Sequence, residues 1–258
     1  MNVRRQIGFA LAAGILLAAA ARAPACAAEE PSATPYRPTV SNPAALPVPG
    51  YLEVEAGFLR TRNDDPRRRD SLPVLFKYAF TENVGVLLGG EAHVRQYSDI
   101  DGRATGVGDT NLTLKLNHTV NDKFALGLEA GIKLPTAKDL IGSGKHDKIV
   151  NGIVSAELGE AALDVNLGAQ RLGAVNPGES RTAYTWAAAL SYPLGDTWGI
   201  AGEFSGVKQG GVPDTSQFLV AVSYNVSKKV VLDAGMAWGL TKASTDRAVF
   251  AGITVLLK

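Results

Sequence analysis

Apolar and polar residues alternate along almost the whole chain after its first fifty residues, and no stretch of ten residues there follows a helical period. In the segment 123–134, Leu126 and Leu128 fall on one side of an extended chain, while Glu129 and Lys133 fall on the other. A period of two residues is typical of a β-strand with one apolar and one polar face. The alternation therefore predicts an all-β protein.

The connections between the alternating segments predict how the strands are arranged. Turns of two or three residues, such as 121–123 and 159–160, alternate with longer loops, such as 61–70 and 98–107. This order is typical of an antiparallel transmembrane β-barrel, which has short periplasmic turns and longer extracellular loops. Twelve strands are predicted, at 50–60, 71–81, 83–97, 108–120, 123–134, 147–158, 161–172, 181–193, 197–207, 215–226, 229–240 and 246–257.

The lengths of the short turns predict which residues face each other across neighbouring strands. A three-residue turn at 121–123 places Val120 opposite Phe124, and a two-residue turn at 159–160 fixes the next register in the same way. Each register brings polar residues together on one face, as the lumen of a membrane barrel requires. The predicted pairs are Lys115 with Glu129, Asn111 with Lys133, Ser155 with Asp164, and Ile153 with Asn166.

Two segments precede the predicted barrel at 50–258. Residues 1–28 resemble a secretory signal peptide, with Arg4 and Arg5 ahead of an apolar stretch and small residues around Cys26. The sequence therefore predicts export, cleavage and a place in the bacterial outer membrane. Residues 29–49 contain six prolines, too many for a helix or a central strand. This segment is predicted to be either a plug inside the lumen or a disordered leader, and the leader is the favoured alternative.

Composition excludes several classes of function. The formal net charge is +1, which argues against a nucleic-acid binder, since such a protein needs a concentrated basic surface. The single cysteine, Cys26, lies in the predicted signal peptide and excludes a disulfide framework or a cysteine-rich metal site. We predict no cofactor and no metal site.

The polar face supplies the candidate site residues. Both charge signs occur on it, so the sequence predicts no filter of a single sign. The charges form either a mutually paired structural network, which is the favoured alternative, or a path that selects a substrate. The candidate path residues are Glu91, His93, Arg95, Lys115, Glu129, Lys133, Asp164 and Glu203.

Three other hypotheses remain at this stage. His93 with Glu91 could act as an acid/base pair of a lipid-acting enzyme, but no serine or cysteine nucleophile is placed beside them, and an enzyme is not the prediction. A closed structural or surface-interaction barrel is a further alternative. In the charged run 64–70, Arg67, Arg68 and Arg69 are predicted to lie in an outward loop, where they either bind lipopolysaccharide phosphates or remain solvated.

Four short motifs resemble a known family of bacterial outer-membrane barrels, labelled a meta-pathway phenol-degradation or transporter-like family. They are YRPT at 36–39, PVPG at 47–50, GVGDTNL at 106–112 and KLPT at 133–136. The resemblance implies a porin-like channel for small solutes, including aromatic or hydrophobic compounds, and it implies no active site. The expected partners are outer-membrane lipid and a small-molecule solute, and the barrel is expected to be a monomer.

Overall fold

The structure, a computed structural model, describes residues 30–138 and 140–258; the predicted signal peptide lies outside them. It consists of strands joined by turns and loops. The strands are β1 (Leu52–Arg62), β2 (Arg68–Ala79), β3 (Val84–Ser98), β4 (Gly102–Gly106), β5 (Thr110–Asn121), β6 (Phe124–Leu134), β7 (Asp147–Leu158), β8 (Ala161–Arg171), β9 (Thr182–Leu194), β10 (Trp198–Gln209), β11 (Thr215–Ser227), β12 (Val230–Gly239) and β13 (Arg247–Leu257).

Twelve of these strands close into one antiparallel barrel. Each pairs with its neighbour along the chain, except that β3 pairs directly with β5 in the wall, and β13 pairs back onto β1. The predicted fold class is therefore confirmed. Strand β4 was not predicted: it lies within the predicted loop 98–107 and pairs only with the outer part of β3. Within the described ranges there is no helix long and apolar enough to cross a membrane.

Burial in this barrel is the inverse of that in a soluble protein. The side chains of Lys77 and Lys115 are fully buried, whereas Leu167 is 66% exposed on the outer surface. A soluble protein almost never buries lysine without a partner. The outer face presents its leucines, valines and aromatic residues to lipid, and the inner face holds the polar residues that the alternation placed there.

The observed registers confirm the predicted polar pairs. Lys115 faces Glu129 and Asn111 faces Lys133 across β5 and β6. Across β7 and β8, Ser155 faces Asp164 and Ile153 faces Asn166. The predicted contact at the turn itself is wrong: a bulge after Thr119 leaves Val120 without a partner, and Asn121 faces Phe124.

Strands at the long-loop end extend further than the alternation predicted. The predicted loop 61–70 is reduced to residues 63–67, because β1 continues to Arg62 and β2 begins at Arg68. Of the three arginines predicted in that loop, only Arg67 lies there. Arg68 and Arg69 are strand residues with opposite orientations, since successive side chains of a strand point to opposite faces.

The proline-rich residues 31–49, which we call the plug segment, lie inside the barrel. Ser41 and Ala44 are fully buried, and Tyr36 is 3% exposed. The favoured expectation of a disordered leader is therefore wrong. The prolines prevent regular structure, but the remaining backbone N–H groups donate to carboxylates and amides of the inner wall, so the segment is held without any secondary structure of its own.

Candidate functional site

The plug segment enters the lumen at the short-turn end, beside one buried lysine and two carboxylates. Lys77 Nζ lies 2.5 Å from an oxygen of Glu53 and 2.5 Å from one of Glu55, and it donates to the Thr34 carbonyl at 2.7 Å. The Thr34 N–H donates to Glu53 at 2.8 Å, and the Tyr36 N–H donates to Glu55 at 2.7 Å. Charges that would otherwise be costly to bury are therefore paired both with each other and with the plug backbone.

The ring of Tyr36 lies between two lysine side chains. Lys77 Nζ is 3.7 Å from the ring centroid and Lys115 Nζ is 4.0 Å from it, both within the range of a cation–π contact. The Tyr36 hydroxyl donates to the Ala45 carbonyl at 2.7 Å. Burial, together with the nearby carboxylates, raises the pKa of Tyr36 above its ordinary value, so the phenol remains a neutral donor.

A second charged contact ties the segment to the nearby strand β12. The Arg37 guanidinium makes two hydrogen bonds of 2.9 Å to the carboxylate of Asp233 on β12. A bidentate arginine–carboxylate pair fixes orientation as well as distance. Arg37 also fills space beside two glycines of the wall, Gly57 and Gly252, where an added β-carbon would lie within 2.9 Å of the arginine side chain.

Residues 40–42 form the tip of the plug segment and are held inside the lumen by three strands of the wall. The Val40 and Ser41 N–H groups donate to the same oxygen of Glu203 on β10 at 2.8 and 2.7 Å. Asn42 donates to Glu129 on β6 at 2.9 Å through its side chain and to Asn166 on β8 at 2.9 Å through its backbone. The tip is thus tied to the alternate strands β6, β8 and β10.

The return limb of the segment is held by the remaining inner polar residues. Lys115 Nζ donates to the Pro43 carbonyl at 2.6 Å and lies 3.2 Å from Glu129. The Ala44 N–H donates to the Ser155 hydroxyl at 2.8 Å, and that hydroxyl donates to Asp164. Four predicted path residues therefore contact the plug, directly or through one side chain: Lys115, Glu129, Asp164 and Glu203.

Two other predicted path residues lie in the lumen nearer the long-loop end. Glu91 accepts hydrogen bonds of 2.5 and 2.6 Å from the guanidinium of Arg69. Lys133 Nζ lies 2.8 Å from Asp147 and 3.3 Å from Asp109. Glu91 is thus paired with one cation, whereas Lys133 lies between two carboxylates, so both charge signs occur at this level of the lumen.

The remaining two predicted path residues, His93 and Arg95, lie on the outer face. A bulge in β3 follows Glu91, so that His93 pairs with Leu72, which is 43% exposed on the lipid side. Arg95 pairs in turn with Asp70 on the same outer face. The prediction that both residues lie in the lumen is wrong. One extra residue in a strand turns every later side chain to the opposite face of the sheet. The proposed acid/base pair of His93 and Glu91 is wrong for the same reason.

Cavities lie on both sides of the tip. One of about 630 Å³ opens toward the short-turn end and is lined by Thr39 and Pro43 of the plug and by Ser223 of the wall. The other, of about 450 Å³, opens toward the long loops and is lined by Val40 of the plug and by Gln217 of the wall. The same five-residue stretch of plug, residues 39–43, therefore borders both halves of the lumen.

The described ranges contain no cluster of three or more histidine, cysteine, aspartate and glutamate side chains suited to a metal ion. The polar groups of the lumen are hydrogen-bond partners and ion pairs. The sequence alone identified most of the wall residues but did not show that their principal partner is the plug. Those contacts join residues far apart in the sequence, such as Ser41 and Glu203, and alternation carries no signal for them.

A closed antiparallel barrel of twelve strands, apolar outside and polar inside with the N-terminal segment in its lumen, defines the class: an outer-membrane-type β-barrel. The chain belongs to the family described as "Putative MetA-pathway of phenol degradation", which it matches over residues 36–257. No curated protein matches its sequence.

Solved structures show the same fold at low sequence identity. An outer-membrane channel from Pseudomonas putida F1 is 15% identical with a TM-score of 0.68, over 83% of this chain and 98% of that one. The NanC porin is 6% identical with a TM-score of 0.57, over 79% and 98% of the two chains. The KdgM porin is 12% identical with a TM-score of 0.54, over 79% and 98%. At these identities the likeness establishes the fold.

Proposed function

We propose that this protein is a monomeric channel of the bacterial outer membrane that admits small solutes by passive diffusion when its plug segment moves. The observation that carries the proposal is the position of residues 40–42 between two cavities of one closed barrel. Their attachments to the wall are hydrogen bonds to Glu203, Glu129 and Asn166, all of which water can replace. Displacing a short stretch of chain would join the two cavities into one path.

The chemistry of the cavities favours small, weakly charged solutes. Both signs of charge line the lumen, and several of them form ion pairs, so the path carries no filter of a single sign. Val40 is 55% exposed toward the long-loop cavity, next to the amide of Gln217. An apolar surface beside hydrogen-bonding groups suits a phenol-sized aromatic compound. The family description, which refers to phenol degradation, agrees with that substrate class.

A closed structural barrel is the second candidate. Its support is the degree of pairing in the lumen: Glu203, Glu129 and Lys115 all have partners in the plug segment. If these contacts never open, the barrel conducts nothing. The two candidates therefore differ in a single observable, the flux of solute through the folded protein.

Solute flux into liposomes distinguishes the candidates. We expect liposomes with the refolded protein to swell in isosmotic phenol-sized solutes faster than protein-free liposomes. Replacing Glu203 by alanine should raise the rate further, because Val40 and Ser41 lose the acceptor of three hydrogen bonds. Three such bonds are worth about 3 kcal/mol or more to the closed state, enough to change the ratio of open to closed protein by about a hundredfold.

The matched control for this experiment is Glu179→Ala. Glu179 lies in the long loop between β8 and β9, and its carboxylate accepts hydrogen bonds from Asn176 and not from the plug. Its swelling rate should equal that of the native protein. Absence of flux from both the native protein and Glu203→Ala, with the barrel verified as folded, would reject the channel in favour of the closed barrel.

A further inference from the structure

Outward-facing apolar residues give way to arginine at the same level on several adjacent strands. On β1 the outward run ends with Phe58 and is followed by Arg60 and Arg62. On β2 the outward Leu72 is followed, toward the long loops, by Asp70 and Arg68. The apolar surface marks the hydrocarbon region, so these arginines lie at its boundary with the polar headgroups.

Pairing across the strands gathers these arginines into one surface. Arg62 faces Arg247 of β13, and Arg60 faces Asp70, which in turn faces Arg95. Two arginines lie over the faces of the Tyr97 ring, Arg68 at 5.7 Å and Arg103 at 5.6 Å. We call the set the arginine patch: Arg60, Arg62, Arg67, Arg68, Arg95, Arg103 and Arg247.

Few carboxylates neutralise this patch. Asp70 contacts Arg60 and Arg68, and Asp99 contacts Arg67 at 3.0 Å. Within the described part of the chain, the other four arginines contact no carboxylate, and the Nε of Arg95 is buried without a hydrogen-bond partner. Several like charges held together, with donors unused, are the arrangement expected of an anion-binding surface.

The patch also has a recess of suitable size for a charged headgroup. A cavity of about 340 Å³ is lined by Arg62, Arg67, Arg68 and Tyr97. Guanidinium groups match phosphate oxygens in a bidentate geometry, and a tyrosine ring offers an apolar face to a sugar. The adjoining outer surface at Phe58 and Leu72 is apolar, as acyl chains require.

We propose that the arginine patch binds the phosphate groups of a phosphorylated glycolipid of the outer leaflet, lipopolysaccharide, with its acyl chains on the apolar surface below. This is a site distinct from the lumen and goes beyond the proposed channel. It corrects the set predicted from the charged run 64–70: Arg67 and Arg68 belong to the patch, whereas Arg69 points into the lumen and is held by Glu91.

Binding of purified lipid A to the native protein in detergent, measured by native mass spectrometry, tests the proposal. The variant is Arg62→Gln/Arg95→Gln, whose two arginines have no carboxylate partner, so that their removal leaves no acid unpaired. We expect its affinity for lipid A to fall by at least about tenfold, since each charge-assisted hydrogen bond lost costs on the order of that factor.

The matched control is Lys148→Gln/Arg171→Gln. These residues also face each other at the long-loop end, but on β7 and β8, across the barrel from β1. They should leave lipid A binding within about twofold of native. An equal loss in both variants, or no loss in either, would overturn the proposal.

Three further probes separate the possible sources of phosphate. Lipid A without its phosphate groups should bind the native protein and the Arg62→Gln/Arg95→Gln variant with the same affinity. Phosphatidylglycerol binding as tightly as lipid A would overturn the assignment to a glycolipid. Displacement of lipid A by an equal concentration of inorganic phosphate would overturn the assignment to a lipid. None of these readouts depends on solute flux, so they fail or succeed independently of the channel.

Discussion

Deleting residues 31–45 should convert the protein into a wide, permanently open pore. The deletion removes every plug contact with Glu203, Glu129 and Asp233 and leaves a lumen bounded by twelve strands and the short remnant 46–49. A barrel of this size is wider than the eight-stranded barrels that side chains fill. We expect single-channel conductance in planar bilayers to rise by about tenfold or more, because the constriction and not the wall limits flow.

The exposed charges of the deleted protein should be tolerated because water replaces the plug as their partner. Lys77 keeps its contacts with Glu53 and Glu55, and Lys115 keeps Glu129. A variant with a shortened loop between β8 and β9 is the control. Its conductance should stay near the native value, since that loop lies at the opposite end of the barrel from the entry of the plug segment. A conductance unchanged by the plug deletion, in a protein with native strand content, would contradict the role given to the plug.

Replacing Lys77 by methionine should be among the most destabilising single changes in the barrel. The side chain is fully buried and its ammonium forms ion pairs with both Glu53 and Glu55. Removing it leaves two buried carboxylates without the cation they share, the kind of change that costs about 3–5 kcal/mol. The free energy of unfolding, from urea titration in detergent micelles, should fall by that amount.

Lys133→Met is the matched control, since Lys133 also lies between two carboxylates, Asp109 and Asp147, but its side chain is 18% exposed. Water screens and solvates that cluster, so the loss should be about 1–2 kcal/mol. Adding Glu53→Gln and Glu55→Gln to Lys77→Met should recover part of the loss, because neutral amides need no counter-ion. An equal loss of unfolding free energy in Lys77→Met and Lys133→Met would contradict the prediction that burial makes the loss of Lys77 more destabilising.

The sequence predicted the wall of the barrel well because the wall is built from local periodicity. Twelve strands, their order and the pairing of Lys115 with Glu129 or Ser155 with Asp164 all follow from alternation and turn length. These features depend on neighbouring segments only. A slip of one residue would have exposed a charged face to lipid, so the hydrophobic pattern specifies the register.

The errors occur where local periodicity carries no information. The bulge after Glu91 adds one residue to the strand but leaves no mark in the sequence pattern. The alternation continues through it, although His93 and Arg95 point to the outer face instead of the lumen. The plug segment has no period at all, and its contacts span long separations, such as Arg37 with Asp233. Six prolines are equally compatible with a disordered leader and with an irregular segment held by side chains. Only the inner wall, once assembled, distinguishes the two.

The central claim is that solute passes only when the plug segment moves, and a reversible tether tests it most directly. A β-carbon placed at Gly127 would lie 3.1 Å from the Ala44 α-carbon, so cysteines at the two positions would be immediate neighbours, and a disulfide can join them once the plug backbone shifts by a few tenths of an ångström. Residues 30–258 contain no other cysteine. Because Ala44 lies two residues from the tip, its attachment to β6 holds the tip in place.

The measurement is swelling of liposomes that contain Ala44→Cys/Gly127→Cys in the Glu203→Ala background, before and after addition of a reductant. We expect oxidised protein to give the background rate of protein-free liposomes and reduced protein to recover the rate of Glu203→Ala alone. Equal flux in the two states, with complete formation of the disulfide confirmed by mass spectrometry, would contradict the claim that the plug segment gates this barrel.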